Sequence, residues 1–121
     1  MAVILVVEDS AWICESAVML IRDWGYETLS ASDVDEALVL LRSPAQIDAL
    51  FTDIYLKKAV FGGCGLAREA VALRPALRVL YTTGSTVTDE MTALFLAGTY
   101  CLSKPYSPDQ LRSSVERMLA A

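Results

Sequence analysis

The sequence predicts an α/β fold, in which helices cover a parallel β-sheet. Five short apolar runs alternate along the chain with five segments whose apolar residues recur at helical spacing. The alternation continues from end to end without an internal repeat, a low-complexity tract or a linker. Strands and helices in this order are typical of βαβ units, whose right-handed crossovers place helices on both faces of the sheet.

The first part of the chain predicts two strands and two helices. Residues 3–7 form the first apolar run, and Gly25 is placed to end the helix that follows it. Residues 26–31 predict strand two. Ser32 can cap the second helix, which the Ser-Pro pair at 43–44 would stop. The apolar faces of these helices are Ile13, Ala17, Leu20, Ile21 and Trp24 in the first, and Ala37, Leu38 and Leu41 in the second.

The middle of the chain predicts two more strands around a third helix. Residues 47–52 form strand three, which delivers Asp53 at its end. A longer loop with three glycines leads to the third helix, which Pro75 closes, and residues 77–82 form strand four. The apolar face of the third helix comprises Leu66, Ala70 and Leu73.

The last part of the chain predicts a fourth helix, strand five and a fifth helix. The fourth helix extends over about residues 88–96 and ends before Gly98, and residues 100–103 form strand five. Segment 107–110 supplies a capping serine, a proline at the first helical position and a capping-box glutamine at the third. One apolar face follows, made of Leu111, Val115, Met118 and Leu119.

Length and composition indicate one globular domain. We expect residues 1–121 to share one core, because the chain is too short for a comfortable second one. No apolar run approaches the roughly 20 residues that cross a bilayer, and no basic region precedes the first run. We therefore expect a soluble, cytoplasmic protein with no membrane partner. The net charge of −5 argues against nucleic acid as a partner.

The cysteine and histidine content excludes several kinds of site. Cys14, Cys64 and Cys101 are odd in number and lack C-x-x-C spacing, so neither a disulfide framework nor a thiolate metal site is indicated. We expect all three to be reduced and buried. The absence of histidine removes Ser-His-Asp chemistry, imidazole metal ligands and a phosphohistidine on this chain itself.

Chemically reactive side chains follow four of the predicted strands. Glu8 and Asp9 come directly after strand one, Asp53 after strand three, Thr83 after strand four and Lys104 after strand five. If the strands are parallel neighbours, their carboxyl ends lie along one edge of the sheet, where open α/β folds bind ligands. One pocket would then hold three acids, a hydroxyl and an ammonium group.

Each of these residues also has an ordinary structural explanation when it is considered alone. The acidic pair would favour the start of a helix, and Asp53 is a common type of turn residue. Lys104 before a proline is more often solvated surface, and Thr83 followed by glycine could be a simple transition from strand to loop. Their recurrence on successive strands makes a shared site the better explanation.

Converging carboxylates repel one another unless a cation neutralises them. Magnesium, or the similar oxygen-preferring manganese ion, suits a site of carboxylate oxygens, waters and phosphate oxygens. Asp53 could then act as a covalent nucleophile toward phosphorus and form an aspartyl phosphate. Lys104 would supply a positive charge to the phosphoryl oxygens, and Thr83 would donate a hydroxyl proton to them.

Four sequence motifs carry a family resemblance that spans nearly the whole chain. V-I-L-V-V-E-D, F-T-D, V-L-Y-T-T-G and L-S-K-P, in this order, closely resemble the receiver domain of two-component response regulators. The resemblance implies a flavodoxin-like (βα)5 fold with sheet order 2-1-3-4-5. It also implies Mg²⁺-dependent transfer of a phosphoryl group to aspartate from a partner histidine kinase or histidine phosphotransfer protein.

The resemblance assigns roles to individual residues. It implies that Glu8 and Asp9 serve the metal and that Asp53 is the phosphoacceptor. Thr83 matches the switch hydroxyl, and Lys104 matches the phosphate-binding lysine. Two further positions follow from the same comparison: Pro105 would have a cis peptide bond, and the backbone carbonyl of Tyr55 would complete the metal ligands.

The chain also departs from the family pattern. Where the family usually has an aromatic switch residue, this chain has Cys101, with Tyr100 one place earlier, so the usual coupling of hydroxyl and aromatic ring is in doubt. A long segment, 55–65, replaces the short proline-containing loop after the phosphoacceptor, with Lys57 at the proline position. Tyr55 and Ser85 occupy positions that tune attack of water on the acyl phosphate, and the bulky Tyr55 could shield it.

Three functions remain open at this point. The first is a stand-alone receiver that switches binding to a downstream protein through its fourth-helix and fifth-strand face, a face that also permits a homodimer. The second is a degenerate receiver that serves as a binding or dimerisation scaffold, with Asp53 never phosphorylated. The third, an aspartate-nucleophile phosphatase, lacks a second aspartate two residues after Asp53 and a cap domain. No P-loop or G-x-G-x-x-G supports nucleotide binding.

Overall fold

The computed structural model describes residues 1–56, 62–84 and 87–120, which contain five strands alternating with five helices. The predicted α/β class is confirmed. In chain order the elements are β1 (Val3–Val7), α1 (Ala11–Asp23), β2 (Glu27–Ala31), α2 (Val34–Leu41), β3 (Ala49–Asp53), α3 (Gly62–Leu73), β4 (Arg78–Thr83), α4 (Asp89–Leu94), β5 (Tyr100–Ser103) and α5 (Pro108–Ala120).

All the strand pairs are parallel, and the strand order is β2-β1-β3-β4-β5, as the family resemblance implies. The register keeps the carboxyl ends level across the sheet. Val7 pairs with Thr52, Asp53 pairs with Thr82, and Thr83 pairs with Ser103. The residues that follow β1, β3 and β5 therefore meet at one edge, as parallel pairing of the strands requires.

The core forms two apolar clusters, one on each face of the sheet. Alternating residues of β1 divide between them, since Ile4 and Val6 belong to one cluster and Leu5 and Val7 to the other. Helices α1 and α5 cover the first face, and α2, α3 and the end of α4 cover the second. All five residues of β1 are buried, which is typical of a strand inside a parallel sheet.

The local geometry confirms two predicted helix boundaries, the end of α1 and the start of α5. Gly25 follows α1 with a φ of 96°, a conformation that favours glycine. At α5, the Ser107 amide donates to Gln110 Oε1 at 2.8 Å, and the Gln110 amide donates to Ser107 Oγ at 3.1 Å. This reciprocal pair is the capping box that the sequence predicts.

The predicted cap of the second helix is wrong by one residue. Asp33, not Ser32, has the extended backbone of a cap, and its Oδ1 accepts the Glu36 amide proton at 2.8 Å. Ser32 instead donates its hydroxyl to Glu36 Oε2 at 3.0 Å. Serine and aspartate are both good caps, and the ionised carboxylate adds a favourable interaction with the helix dipole.

Helix α4 is also shorter than predicted. It begins after the cap Thr88, whose hydroxyl accepts the Met91 amide at 3.1 Å, and ends at Leu94 rather than at residue 96. The next residue, Phe95, has a ψ of 141° and leaves the helical conformation. Its ring stacks on Tyr81 of β4 with a centroid separation of 4.6 Å, so a tertiary contact ends the helix.

The prediction that all three cysteines are buried is wrong for two of them. Cys64 in α3 is buried, Cys14 in α1 is half-buried, and Cys101 is exposed. Cys101 lies on β5, which is an edge strand of the sheet. In the described part of the chain, no helix has the length and apolar character needed to cross a membrane.

Asp48 ties the start of β1 to the segment before β3. Its Oδ2 accepts the Val3 amide proton and a Gln46 side-chain proton, each at 2.8 Å. These bonds to the ionised carboxylate, from Gln46 first and then from Val3, lower the pKa of Asp48 below its usual value. Strand three begins at Ala49, two residues later than predicted.

We expect Asp48→Asn to lower the free energy of unfolding at pH 7 by about 1 kcal/mol, because the two hydrogen bonds lose their charged acceptor. A depressed pKa in the folded state stabilises the fold above the unfolded pKa, and this stabilisation is lost as pH falls through the folded value. Urea unfolding at pH 7 and below roughly pH 4 measures the difference. Glu69→Gln, the same charge change on the exposed face of α3, is the control; equal effects of both variants would contradict this account.

Candidate functional site

Three acidic side chains meet at the carboxyl edge of the sheet. Glu8 and Asp9 follow β1, and Asp53 ends β3, the neighbouring strand. One carboxylate oxygen from each lies within 4.8 Å of the other two. Backbone pairing continues past the strands, because the Glu8 amide donates to the Ala31 carbonyl at 3.1 Å. The backbone of Glu8 is therefore held against the end of β2 where the acids converge.

Burial makes the mutual repulsion of these acids costly. Glu8 is 5% exposed and Asp53 is 7% exposed, while Asp9 is partly exposed. Burial raises the pKa of Glu8 above its usual value, and the negative charge of Asp53 acts in the same direction. Hydrogen bonds from Lys104 and Ser10 oppose this rise without cancelling it.

Lys104 bridges two of the acids. Its Nζ donates to Glu8 Oε2 at 2.6 Å and to Asp53 Oδ2 at 2.9 Å. Burial by itself would lower the pKa of Lys104, but the two hydrogen bonds and the charges of both acids outweigh burial and raise it. The lysine therefore stays charged and offsets one of the negative charges.

The remaining charge fits a divalent cation. With all three carboxylates in their charged form, the one ammonium group would leave two negative charges uncompensated, which one divalent ion would neutralise. The donor set consists of oxygens alone, which is the ligand type that Mg²⁺ and Mn²⁺ prefer. The residues present therefore suit the metal that the sequence predicts.

Hydrogen bonds fix the orientation of the Asp53 carboxylate. Its Oδ2 accepts from Lys104, and its Oδ1 accepts the Tyr55 amide proton at 3.2 Å. The Glu8 carboxylate is held in a similar way, since its Oε1 accepts the Ser10 amide proton at 3.2 Å. Both side chains are thus preorganised, with each oxygen of Asp53 directed to a different donor.

The other predicted site residues lie close to this cluster. Thr83 is fully buried at the end of β4, and its carbonyl accepts the Lys104 amide proton at 2.8 Å. The peptide bond between Lys104 and Pro105 is cis. Tyr55 is half-buried, and its hydroxyl lies 3.9 Å from the Met91 sulfur. Shielding by Tyr55 and metal coordination by its carbonyl stay predictions.

The two candidate switch residues of β5 lie on opposite faces of the sheet. Tyr100 packs in the cluster under α1 and α5. Cys101 pairs with Tyr81 of β4, whose side chain belongs to the cluster on the other face. Thr83, two residues after Tyr81, shares that face with Cys101. Lys57, Ser85 and residues 58–61 lie outside the described residues. Residues 62–65, predicted as part of a loop, form the first turn of α3 instead.

The site requires glycine at position 63, which the sequence analysis did not predict. A Cβ at this position would lie 2.0 Å from the Asp53 carbonyl oxygen and 2.9 Å from the Ile54 Cα. The Gly63 amide also donates to the Ile54 carbonyl at 3.0 Å. The first turn of α3 therefore packs directly against the backbone of Asp53, and the glycine-rich run before Leu66 was the available signal.

Trp12 marks a groove beside the acids. The side chain is 79% exposed on the first turn of α1. The groove runs from Trp12 to Lys104 and the two residues after it, and has a volume of about 480 Å³. Its lining comprises Trp12, Ile13, Ser16, Gly84, Lys104, Pro105 and Tyr106. An exposed apolar surface thus adjoins the acidic cluster.

We expect Gly63→Ala to destabilise the fold by about 1–3 kcal/mol, because the added methyl group would displace the backbone of Asp53. Gly65→Ala is the matched control in the same helix, since a Cβ at that position meets no atom within 4 Å. The control should be neutral or stabilising by up to about 1 kcal/mol through helix propensity. Chemical denaturation of both variants measures the contrast, and equal destabilisation would refute the close-approach argument.

Comparison with known families gives a match over most of the chain. Residues 4–116 match the family described as response regulator receiver domain. Among curated proteins, the transcriptional regulatory protein ZraR of Escherichia coli is 33% identical over 118 residues, which cover 97% of this chain and 26% of ZraR. AlgB, an alginate biosynthesis transcriptional regulatory protein of Pseudomonas aeruginosa, is 30% identical, with 96% of this chain and 25% of AlgB covered. The chain thus spans about a quarter of these relatives.

Solved structures share the fold over nearly the full chain. A response regulator receiver protein from Sinorhizobium medicae superposes with a TM-score of 0.90 and 27% identity, covering 99% of this chain and 95% of that protein. A CheY-like receiver domain from Methanospirillum hungatei gives a TM-score of 0.88 and 26% identity, with coverages of 99% and 94%. CheY4 of Vibrio cholerae gives 0.84 and 26%, with 98% of each chain covered.

Proposed function

Because the chain belongs to the response regulator receiver domain family, we propose that it accepts a phosphoryl group on Asp53 and so switches its binding to other proteins. One observation carries the proposal: Asp53 is held by Lys104 and by the Tyr55 amide, beside Glu8 and Asp9. A buried carboxylate among other acids and a lysine is a costly arrangement that a phosphoryl transfer site explains.

The proposed cofactor is Mg²⁺, or Mn²⁺ in its place. Glu8, Asp9, Asp53 and the backbone carbonyl of Tyr55 would hold it. When bound, the metal would neutralise negative charge on the acids and on the incoming phosphoryl oxygens. The grouping of three acids against a single lysine supports this assignment.

In the proposed reaction, one oxygen of Asp53 attacks phosphorus in line with the leaving group. A bond from oxygen to phosphorus forms, and the bond from phosphorus to a donor histidine nitrogen breaks, with its electron pair remaining on nitrogen. Lys104 would move from the carboxylate of Asp53 to the phosphoryl oxygens. Thr83 would donate its hydroxyl proton to the same group, which favours the phosphorylated conformation.

The phosphoryl donor is proposed to be a histidine kinase or a histidine phosphotransfer protein. This chain has no histidine, so the donor imidazole must come from outside it. The groove beside Trp12 and Tyr106 adjoins Lys104 and offers the donor an apolar surface next to the phosphoacceptor. The output is proposed to be altered binding of a protein target; transcriptional regulation belongs to the named relatives.

The direct test is incubation with phosphoramidate and Mg²⁺, followed by intact-mass analysis. Wild type should gain the mass of one phosphoryl group, and Asp53→Asn should gain none. Omission of the metal should slow labelling by about two orders of magnitude, since charge neutralisation in the transition state is lost. A label that persists in Asp53→Asn would contradict the proposal.

The alternative of a phosphorylation-independent scaffold gives a different outcome. Trp12 lies three residues after Asp9 and lines the groove beside Lys104, so its emission should respond to Mg²⁺ and then to beryllofluoride, a phosphoryl mimic. Trp24, at the other end of α1, should respond less. A folded protein that shows no response and no phosphoramidate labelling would favour the scaffold.

The donor surface has its own test. Trp12→Ala should slow transfer from a phosphorylated histidine phosphotransfer protein by about tenfold or more, because exposed tryptophans often dominate interface energies. The rate with phosphoramidate should not change, since that donor needs no groove. Val39→Ala removes another exposed apolar side chain, on α2, and is the control for both donors. Equal slowing with both donors would contradict a docking role for Trp12.

A further inference from the structure

Tyr81 of β4 contacts the two residues that follow α4. The side chain is fully buried on β4, and its ring stacks on Phe95 with centroids 4.6 Å apart and an interplanar angle of 17°. Its hydroxyl accepts the Leu96 amide proton at 3.4 Å. One side chain thus holds the two residues that follow α4 by a ring contact and a hydrogen bond.

The same strand leads directly to the phosphoacceptor site. Tyr81 and Thr83 are two residues apart on β4, so their side chains lie side by side on one face of the sheet. The end of β4 is bonded on both sides, since the Ile54 amide donates to the Thr82 carbonyl at 2.9 Å and the Lys104 amide donates to the Thr83 carbonyl. The side chains of Thr83 and Tyr81 are therefore neighbours on a segment of β4 that is hydrogen-bonded to the residues following β3 and β5.

The fifth strand offers no aromatic ring on this face. Its residue opposite Tyr81 is Cys101, which is exposed, and Tyr100 packs on the opposite face. Tyr81 is nevertheless fully buried, so the cover of its ring comes from residues other than an aromatic side chain of β5. Among the described residues, Tyr81 and Phe95 form a stacked aromatic pair, which lies between Thr83 and the end of α4.

We propose that the contact between Tyr81 and Phe95 is the switch element of this chain, coupling the phosphoryl state of Asp53 to the position of the end of α4. The inference rests on the proposed function. When Thr83 moves toward a phosphoryl group, the stack and the hydrogen bond to Leu96 loosen, and the segment after α4 is released. The ring that responds lies on β4 rather than on β5.

Amide hydrogen exchange at Leu96, read by NMR on the full chain, tests the coupling. Beryllofluoride with Mg²⁺ should speed this exchange by about fivefold or more in wild type, a typical size for allosteric coupling. Phe95→Leu should exchange quickly at Leu96 with or without the mimic, because the stack is already lost. Tyr81→Phe keeps the stack, removes the hydrogen bond and should give an intermediate response.

The matched control is Trp24→Leu, which removes an aromatic ring from the opposite face and should respond as wild type does. Labelling by phosphoramidate shows whether a negative result contradicts the proposed function or only the inference about Tyr81 and Phe95. An unlabelled wild type would overturn the proposed function and this inference with it. A labelled wild type with unchanged Leu96 exchange, or a Phe95→Leu response equal to that of wild type, would overturn the inference alone.

Discussion

The functional site depends on one constraint, which is the repulsion among three acidic side chains at the carboxyl edge of the sheet. Glu8 and Asp53 are buried, Asp9 adjoins them, and Lys104 arrives from β5 to bridge the first two. Apolar side chains in their place would cost much less free energy, since a buried ion pair often fails to recover its desolvation penalty. The arrangement persists because two strands and a lysine from a third are held in parallel register by two apolar clusters.

The positions that surround the cluster follow from the same constraint. Gly63 lets α3 approach the backbone of Asp53 more closely than any other residue would allow. The Tyr55 amide donates to the second oxygen of Asp53, so the carboxylate keeps one orientation. Neighbouring charges, hydrogen bonds and backbone packing thus all constrain Asp53. This agrees with a site that is preorganised for its ligands.

Most of the fold was predictable because its signals are local. Apolar periodicity, Gly25 after α1 and the capping box at Ser107 each depend on a few neighbouring residues. The acids and Lys104 could be predicted to converge since each follows a strand. The end of α4 could not, because Phe95 leaves the helix to stack on Tyr81, which lies 14 positions earlier in the chain. The cap at Asp33 was missed because two good capping residues are adjacent, and the close approach at Gly63 exists only in three dimensions.

The burial of β3 has a consequence for the dynamics of the molecule. All five of its residues are buried, and β1 and β4 flank it on both sides. Segments of this kind belong to the most protected cooperative unit of a protein and open only when the whole domain unfolds. Asp53 therefore sits on a strand that we expect to open only with the whole domain, whereas α4 has six residues and a largely exposed surface. The proposed chemistry would thus be confined to a fully buried strand, and its readout would fall to a short helix with few buried residues.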